Sequence, residues 1–346
     1  LKFGKENVLS VSGEYGIVNQ IAFQGRSFAG ESVADYHVVE TDDIVYTKSP
    51  LKANPYGIIK VNNGVPGIVS TLYAVYHPLK TVVPRFVDFY FSNDLRLNKF
   101  LKPLVNIGAK HDMKVNNTFV LTGMVVFPPL REQQKIVDFL TILDRRIDVQ
   151  RKKVEALKKY KRGLLSREFG QQENGDLNNR YVGKLKDYFH LSSGSTPSST
   201  NRAFYSGNIR WVSSGELKPK YLCETSQHIS SEAVSSCNLR EYPANTLLVA
   251  MYGLEAAGVR GTASILSVPA TISQACMAIQ QTGEIDIEYL YYWYIYNGQW
   301  IGIRIAQGTK QQNLSTDTLG NLRIHAPSCS KQKKVCKLLS QIDYLI

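Results

Sequence analysis

The chain reads VVFPPLREQQKIVDFLTILD at residues 125–144 and RIHAPSCSKQKKVCKLLSQID at residues 323–343. The two segments align with a constant offset of 199 residues, which places Gln133 on Gln332. The units of solenoid proteins are about 20–50 residues long, so this period is too long for a solenoid. The duplication therefore predicts two domains, each followed by its own helix.

The first copy of the repeated segment predicts a long helix that starts after two prolines. Pro128 and Pro129 end the preceding β-rich run, because proline cannot donate to a β-ladder and favours the first turn of a helix. The apolar positions that follow repeat as a heptad. Its a positions are Leu140, Ile147 and Val154, and its d positions are Ile136, Leu143, Leu157 and Leu164.

That narrow apolar stripe is typical of a coiled-coil seam. Gln150 and Lys161 interrupt it, and polar residues at such positions commonly fix the partner and register of a coiled coil. We therefore expect a second helix to cover the seam, while a long amphipathic helix packed on one domain remains the alternative. The second copy of the helix starts near Lys331 and reaches only Ile346, so we expect it to be truncated, and the first domain to lack its start.

The net charge of +12 predicts a polyanionic partner. Between Pro129 and Gly170 there are 12 Lys or Arg residues and 6 Asp or Glu residues, so half of the excess lies on the predicted helix. A charge run of this kind is usually a solvated helix surface. The other half of the excess belongs to the two domains, which favours a binding role for the charge.

The cysteines and the hydropathy indicate no disulfide framework, zinc site or membrane span. Five cysteines occur without a Cys-x-x-Cys pair, and the six histidines lack the spacing of a metal site. No apolar run reaches about 18 residues and no signal peptide is evident, so we expect a cytoplasmic protein with no membrane contact.

The two halves predict an α+β fold with two β-rich domains. Strands rich in β-branched and aromatic residues are predicted near residues 43–47, 56–61 and 69–75 in the first half. The corresponding strands in the second half are predicted at residues 209–212, 246–250, 263–266 and 275–279. Each half continues with an aromatic-rich helix, at residues 86–98 and 287–296 respectively.

The sequence resembles the specificity subunits of type I restriction-modification systems over essentially its whole length. The Pro-Pro-Leu-Arg-Glu-Gln-Gln-Lys-Ile segment at residues 128–136 and its heptads carry the resemblance most specifically. Further matching segments in the second half are Leu185–Phe189, Ser193–Pro197, Gly207–Trp211, Ser214–Leu217 and Gly308–Leu314. The second signature departs from the first at Lys331 and Cys329, which stand where the first has Glu132 and Leu130.

This resemblance implies two target-recognition domains separated by long conserved helices that form an antiparallel coiled coil. The implied segments are domain 1 at residues 1–128, a central helix at 129–170, a linker at 171–179, domain 2 at 180–327 and the start of a distal helix at 328–346. The domains would read two different half-sites of double-stranded DNA, about 34 Å apart if both lie on one face of the duplex.

The resemblance also implies partner subunits that do the chemistry. Two modification subunits would methylate adenine with S-adenosylmethionine, and restriction subunits with motor and nuclease activity would use ATP and magnesium. This chain would then be non-catalytic and bind none of those cofactors itself. A coiled-coil scaffold, or a fragment of a fused methyltransferase-specificity protein, is the alternative.

Two short motifs are weak matches to catalytic sites. Asn54–Tyr56 (Asn-Pro-Tyr) is similar to the loop with which adenine methyltransferases hold a flipped base, but it lacks the second proline, so a turn is favoured. Glu216–Lys218 (Glu-Leu-Lys) has the order of half a nuclease site, with no acidic partner evident. Residues 302–310 have the wrong spacing for a phosphate-binding loop. The sequence shows no catalytic constellation.

Loop residues with several hydrogen-bonding groups are the candidates for contacts with DNA bases or phosphates. They are Lys48, Lys52, Asn54, Lys110 and His111 in the first half, and Ser195, Thr196, Arg202, Lys218, Tyr252, Arg260, Lys310 and Gln311 in the second. For any one of them, a purely structural surface role is the alternative.

Overall fold

The computed structural model describes residues 3–30, 32–107, 113–170, 181–254, 256–306, 308 and 313–346. It contains two compact units, Leu1–Val149 (unit 1) and Gln150–Ile346 (unit 2). The mixed class, with a long central helix and two β-rich domains, confirms the expectation from the sequence. The predicted linker at residues 171–179 lies outside the described residues.

Unit 1 combines short strands with a helical layer. Its strands are β1 (Leu9–Ser12), β2 (Gly16–Asn19), β3 (His37–Val39), β4 (Ile44–Thr47), β5 (Ile59–Val61), β6 (Gly67–Val69), β7 (Tyr73–Tyr76), β8 (Asn106–Ile107) and β9 (Met113–Lys114). Its helices are α1 (Gln20–Gln24), α2 (Pro84–Phe91), α3 (Asp94–Leu101), α4 (Asn117–Val120) and the first part of α5 (Leu130–Phe169).

The core of unit 1 lies between a three-stranded sheet and two helices. The sheet has the order β5-β4-β7, and β4 runs antiparallel to both neighbours. Tyr46 and Ile59 of this sheet pack with Phe91 of α2 and Leu101 of α3. These side chains are large and almost fully buried, so their burial contributes to the stability of the unit.

Unit 2 is larger and repeats this plan. Its strands are β10 (Tyr181–Lys184), β11 (Phe189–Ser193), β12 (Ile209–Val212), β13 (Tyr221–Leu222), β14 (Gln227–Ile229), β15 (Leu247–Ala250), β16 (Ala263–Leu266), β17 (Thr271–Ile272), β18 (Cys276–Gln281) and β19 (Arg323–Ala326). Its helices are α6 (Leu185–Tyr188), α7 (Ser231–Ser236), α8 (Ile287–Trp300), α9 (Thr316–Gly320) and α10 (Cys329–Leu345).

Two sheets and a helical layer build unit 2. The main sheet has the order β11-β18-β15-β16-β13, a second sheet has the order β14-β12-β17, and β10 pairs with β19. One face of the main sheet packs on α8, where Tyr289, Tyr292 and Trp293 are buried, and on the ends of α5 and α10. The other face packs against the second sheet through Val212 and Ile272.

The duplication seen in the sequence is a structural repeat. In unit 1, β4 pairs antiparallel with β5 and β7, and in unit 2, β15 pairs antiparallel with β16 and β18. Each unit continues with an aromatic helix packed on that sheet and then with a long helix. The predicted correspondence between the halves is therefore confirmed for these elements.

A buried glutamine holds each long helix to its own unit. Gln133 Oε1 accepts a hydrogen bond from the backbone N–H of Val83 at 2.8 Å, and its Nε2 donates to the Pro128 carbonyl at 2.8 Å. Gln332 bonds in the same way to the N–H of Asp286 at 2.9 Å and to the Pro327 carbonyl at 2.8 Å.

Val83 and Asp286 are the residues that precede α2 and α8, so each glutamine ties the start of the long helix to the start of the aromatic helix. A second repeated contact lies further along each long helix. Asp144 meets Arg85 of α2 at 3.4 Å, and Asp343 accepts a hydrogen bond from Tyr292 of α8 at 2.8 Å. The repeated sequence signature therefore encodes helix docking.

The predicted seam of α5 is covered unevenly. Leu164 packs against the core of unit 2, whereas Ile147 is 50% exposed. Lys161, the predicted polar position of the seam, pairs with Asp343 of α10 within unit 2. The coiled coil along the whole seam stays a prediction.

Several boundaries differ from the sequence expectations. Residues 69–75 belong to two strands instead of one, because the chain turns after Val69. The carbonyl of Ser70 accepts a hydrogen bond from the N–H of Tyr73 in this turn. Residues 86–98 belong to two helices, because Asn93 leaves the helical conformation and caps α3 with its side chain. The second long helix begins at Cys329, two residues before the predicted start.

We expect the Gln332→Leu variant to lower the free energy of unfolding by about 1–3 kcal/mol, because the buried N–H of Asp286 and the carbonyl of Pro327 lose their partner. Chemical denaturation of unit 2 measures the change. Gln341→Leu is the matched control, since Gln341 is exposed on the same helix. Equal stability of the two variants would contradict the docking role.

Candidate nucleic-acid interface

Loops from both large sheets of unit 2 lie at one edge of the unit. β11 and β15 both run antiparallel to β18, so the residues after them meet the residues before β18 at the same edge. β12 and β17 run parallel and end at this edge as well. The loops that follow these strands, Gly194–Pro197, Ser213–Pro219, Met251–Thr262 and Ser273–Ala275, form what we call the loop edge.

The loop after β11 approaches β17 very closely. The N–H of Ser195 donates to the Ile272 carbonyl at 3.1 Å. A β-carbon on Gly194 would lie 2.3 Å from that same carbonyl, so only glycine fits there. This contact leaves the side chains of Ser195 and Thr196 exposed at the edge, as expected of residues that contact a ligand.

Two aromatic residues, the buried Trp211 and the half-buried Tyr205, support the same loop. Trp211 Nε1 donates to the Ser195 carbonyl at 3.3 Å, and the Tyr205 hydroxyl donates to the Pro197 carbonyl at 2.7 Å. The rings of Tyr205 and Trp211 meet edge to face with their centroids 5.9 Å apart. The loop is thus held by side chains in a defined position.

Polar side chains from three loops meet at this edge. The N–H of Gln274 donates to Thr196 Oγ1 at 3.1 Å, and Gln274 Nε2 lies 3.5 Å from the hydroxyl of Tyr252. The structure therefore brings the nominated residues Thr196 and Tyr252 together. Gln274 was missed in the sequence. The only sequence signal for Gln274 is its place in a pair of polar residues between two apolar strands.

Arg260 has a partly structural role. Its Nε donates to the Leu254 carbonyl at 2.7 Å, and its side chain packs directly on Gly302, within the π-helical turn Ile301–Ile305. The guanidinium therefore helps to hold the Met251–Thr262 loop. Arg202 is exposed on a short 3-10 helix, Arg202–Tyr205, which is not one of the loops that form the loop edge.

Glu216 fastens the loop after β12. Its carboxylate accepts hydrogen bonds from the N–H and hydroxyl of Ser213, both at 2.8 Å, and from the N–H and hydroxyl of Ser226, at 2.6 and 3.0 Å. Burial raises the pKa of the Glu216 carboxyl, but these hydrogen bonds outweigh it, so the pKa lies below its usual value. The geometry gives Glu216 a structural role and does not favour a nuclease site.

Lys220 anchors the far end of that loop to the helices. Its ammonium group donates to Glu288 and Tyr292 of α8 and to Ser340 of α10. Burial raises the pKa of Glu288, while the hydrogen bonds from Lys220 and Ser340 lower it, and the net shift is downward. Lys218, two residues earlier, stays exposed at the loop edge.

In unit 1, the loop between β4 and β5 occupies the corresponding position, and we call it the loop edge of unit 1. Lys52 is exposed on it, and Lys48 is half-buried at its start, where its N–H donates to the Leu72 carbonyl at 3.2 Å. Gly57 closes the loop with a φ of +88°, a conformation that favours glycine. The loop presents two lysines beside the end of the sheet.

Asn54 has an internal role in this loop. Its side chain is only 8% exposed, and its Nδ2 donates to Asp94 of α3 at 2.9 Å. Its backbone closes the turn with Leu51 through two hydrogen bonds. The structure thus favours a turn at Asn54–Tyr56, the alternative weighed against a base-binding loop. Lys110, His111, Lys310 and Gln311 lie outside the described residues.

Among the described residues, Asp286, Glu288 and Cys336 form a group with metal-ligand atoms within 4.8 Å of one another. Asp286 caps α8, and Glu288 accepts from Lys220. Burial, together with the nearby carboxylates, raises the pKa of the Cys336 thiol. A protonated thiol is a poor metal ligand, so the chemistry of this group favours a structural role.

The family model for the type I restriction modification DNA specificity domain matches residues 33–159 and 179–346. These ranges include both loop edges, both glutamine contacts and most of α5. The chain belongs to this family.

A specificity subunit of a type I restriction enzyme is similar to part of this chain in sequence. The type I restriction enzyme MjaIX specificity subunit of Methanocaldococcus jannaschii is 30% identical over 169 residues, which are 48% of this chain and 38% of that protein. The chain thus matches less than half of the length of this relative.

Two solved structures share the fold. The S subunit of a type I restriction-modification system from M. genitalium superposes with a TM-score of 0.55 at 13% identity, over 99% of this chain and 82% of that one. The HsdS subunit from Thermoanaerobacter tengcongensis has a TM-score of 0.50 at 16% identity, over 91% and 76%. None of the described helices of this family member is long and apolar enough to span a lipid bilayer.

We expect Glu216→Gln to destabilise unit 2 in a pH-dependent way. The folded-state pKa lies below the ordinary value of 4.5, so the carboxylate stabilises the fold above that pH, and this contribution disappears as the pH falls through the folded-state pKa. The stability difference between the parent chain and the variant should therefore be constant near neutral pH and shrink below about pH 4.5.

Thermal or urea unfolding at several pH values measures this difference. Glu224→Gln is the control, because Glu224 is exposed and its carboxylate has no hydrogen bond among the described residues. A difference that grows as the solution is acidified would refute the role given to Glu216.

Proposed function

We propose that this chain is the DNA-specificity subunit of a type I restriction-modification complex and that it reads a bipartite, asymmetric DNA site. The observation that carries the proposal is the structural repeat: one fold occurs twice, and each copy presents a polar loop edge beside its sheet. Membership of the DNA specificity domain family and the net charge of +12 support it.

The loop edge of unit 2 has the chemistry of direct base recognition. Thr196, Gln274 and Tyr252 offer hydroxyl and amide groups that donate and accept, as base edges in the major groove require. Lys218 adds a positive charge suited to a backbone phosphate. Rigid support by Trp211 and Tyr205 favours a fixed arrangement of these groups before DNA binds.

The two half-sites are expected to differ because the loop edges differ. Unit 1 carries Lys48 and Lys52 on a loop closed by Gly57, whereas unit 2 carries Tyr252 and Arg260 on a loop of similar length. Different side chains at equivalent positions read different bases. The bases between the half-sites would go largely unread, since no third loop edge is present in the part of the chain that the structure describes.

The long helix suits a scaffold for partner subunits. Phe139, Ile142 and Val149 are more than half exposed on α5, and exposed apolar side chains of this size favour contact with another helix. We propose that modification subunits with S-adenosylmethionine bind here and that restriction subunits with ATP and magnesium join them. In that assembly this chain is non-catalytic and cytoplasmic, and it binds none of these cofactors.

A library of duplexes with randomised sequence tests the proposal. We expect selection by the purified chain, followed by sequencing, to enrich two unlike half-sites separated by unspecified bases, with centres roughly one helical turn apart. Affinity should fall steeply as salt rises, because phosphate contacts release counterions. Enrichment of one contiguous motif, or of none, would overturn the proposal.

The Lys218→Ala variant is expected to weaken binding to the enriched duplex and to reduce its salt dependence by about one counterion, if Lys218 contacts a phosphate. Fluorescence anisotropy at several salt concentrations measures both effects. Lys186→Ala is the matched control, because Lys186 is exposed before β11, at the opposite end of that strand from the loop edge. Equal losses in the two variants would remove Lys218 from the interface.

A further inference from the structure

The same tripeptide follows equivalent strands in the two units. Ser12-Gly13-Glu14 begins at the end of β1, and Ser214-Gly215-Glu216 follows β12. In unit 2, β12 pairs antiparallel with β14 and parallel with β17. In unit 1, β1 pairs antiparallel with β2, and Val8 at its start forms a parallel bridge to Ile68 of β6. The repeated motif therefore has the same place in both units.

The motif has its structural role in unit 2 only. There the Glu216 carboxylate accepts hydrogen bonds from the N–H and hydroxyl groups of Ser213 and Ser226. In unit 1, Val11 stands in the place of Ser213 and has no hydroxyl group. The connection from β1 to β2 is only Gly13–Tyr15, so no residue takes the place of Ser226. The glutamate of unit 1 lacks the partners that its counterpart has.

Glu14 is available to a ligand at the tip of the β1–β2 hairpin. Its side chain is exposed, and its carboxylate has no hydrogen bond or ion pair among the residues that the structure describes. Both partners of Glu216 follow β12 in the chain, so the difference between the units comes from the connection after this strand. It does not depend on the segment that precedes the strand.

The hairpin tip lies at the same end of unit 1 as the loop between β4 and β5. β1 runs parallel to β6, and a turn after β6 leads into β7. Tyr73, the first residue of β7, pairs with Thr47 at the end of β4, and the N–H of Lys48 donates to the Leu72 carbonyl in that turn. Apolar side chains of β1, β4 and β6 also pack in one cluster. This places Glu14 beside the loop edge of unit 1.

Local contacts support the tip. Ser12 Oγ accepts a hydrogen bond from the N–H of Tyr15 at 3.2 Å. Gly16 ends the tip with a φ of +71°, a conformation that favours glycine. The ring centroids of Tyr15 and Phe23 lie 5.2 Å apart. The carboxylate of Glu14 is therefore carried by a turn with a defined conformation.

A carboxylate in this position suits one kind of contact with DNA. An ionised carboxylate only accepts hydrogen bonds, and phosphates repel it, so it favours a base edge that donates. In the major groove the donors are the amino groups of cytosine and adenine, and glutamate characteristically accepts from cytosine N4. Lys48 and Lys52 on the neighbouring loop supply positive charge for the phosphates.

We propose that Glu14 determines specificity in unit 1 by accepting a hydrogen bond from the N4 amino group of a cytosine in the first half-site. The inference rests on the proposed function and deepens it by assigning one base to one residue. Glu216 makes no such contact, because its carboxylate is used inside unit 2. The same motif thus contributes differently to the reading of the two half-sites.

Selection of randomised duplexes by the Glu14→Gln variant of the full chain tests the inference. The parent chain should enrich cytosine at one position of one half-site. In the variant, the preference for cytosine over adenine at that position should fall at least about tenfold, because a glutamine amide pairs with adenine through both of its polar groups. The other half-site and the melting temperature of the chain should stay unchanged, since Glu14 has no partner among the described residues.

Glu40→Gln is the matched control. Glu40 is exposed after β3, which runs antiparallel to β6, so it lies at the opposite end of unit 1 from the hairpin tip. This control should keep the base preferences of the parent chain at every position.

Three results would overturn the inference and leave the proposed function standing. They are unchanged base preferences in Glu14→Gln, a loss of preference only for a base other than cytosine, and uniformly tighter binding to all duplexes. The last result would mean that the carboxylate merely repels phosphates. If the parent chain enriches no pair of half-sites, the proposed function fails and the inference fails with it.

Discussion

The buried amide of one glutamine in each half sets the direction of the long helices. Gln133 and Gln332 each bond to a backbone N–H and to a proline carbonyl that have no other partner among the residues that the structure describes. Because a buried donor or acceptor without a partner costs about 1–3 kcal/mol, the helix is held in the one orientation that satisfies both groups. The position of each long helix therefore follows from the core of its own unit.

The loop edges depend on this arrangement in turn. In unit 2, Lys220 bonds to α8 and α10, and the loop that ends at Lys220 carries Lys218. The sheet supports the other loops through Trp211 and the close approach at Gly194. Cores of the same plan thus present unlike loops, as the proposed reading of two different half-sites requires.

Much of the fold follows from local sequence patterns. The prolines and the heptad place the central helix within one residue of its observed start at Leu130, and β-branched runs locate β4, β5 and β7 in unit 1 and β15, β16 and β18 in unit 2. The residues of the candidate site are harder to predict from such patterns. Thr196, Lys218 and Tyr252 do lie on one edge, but Asn54 is buried and Glu216 fastens a loop, and side-chain type alone does not distinguish these roles.

The sequence by itself determined the duplication, the α+β class, the long amphipathic helix and the likeness to DNA-specificity subunits, because these depend on periodicity and on residues close together in the chain. Only the tertiary structure decided which loops share an edge and why Gln133 is repeated. Those features arise from strand pairing and burial between residues far apart in sequence, and no local pattern records such contacts.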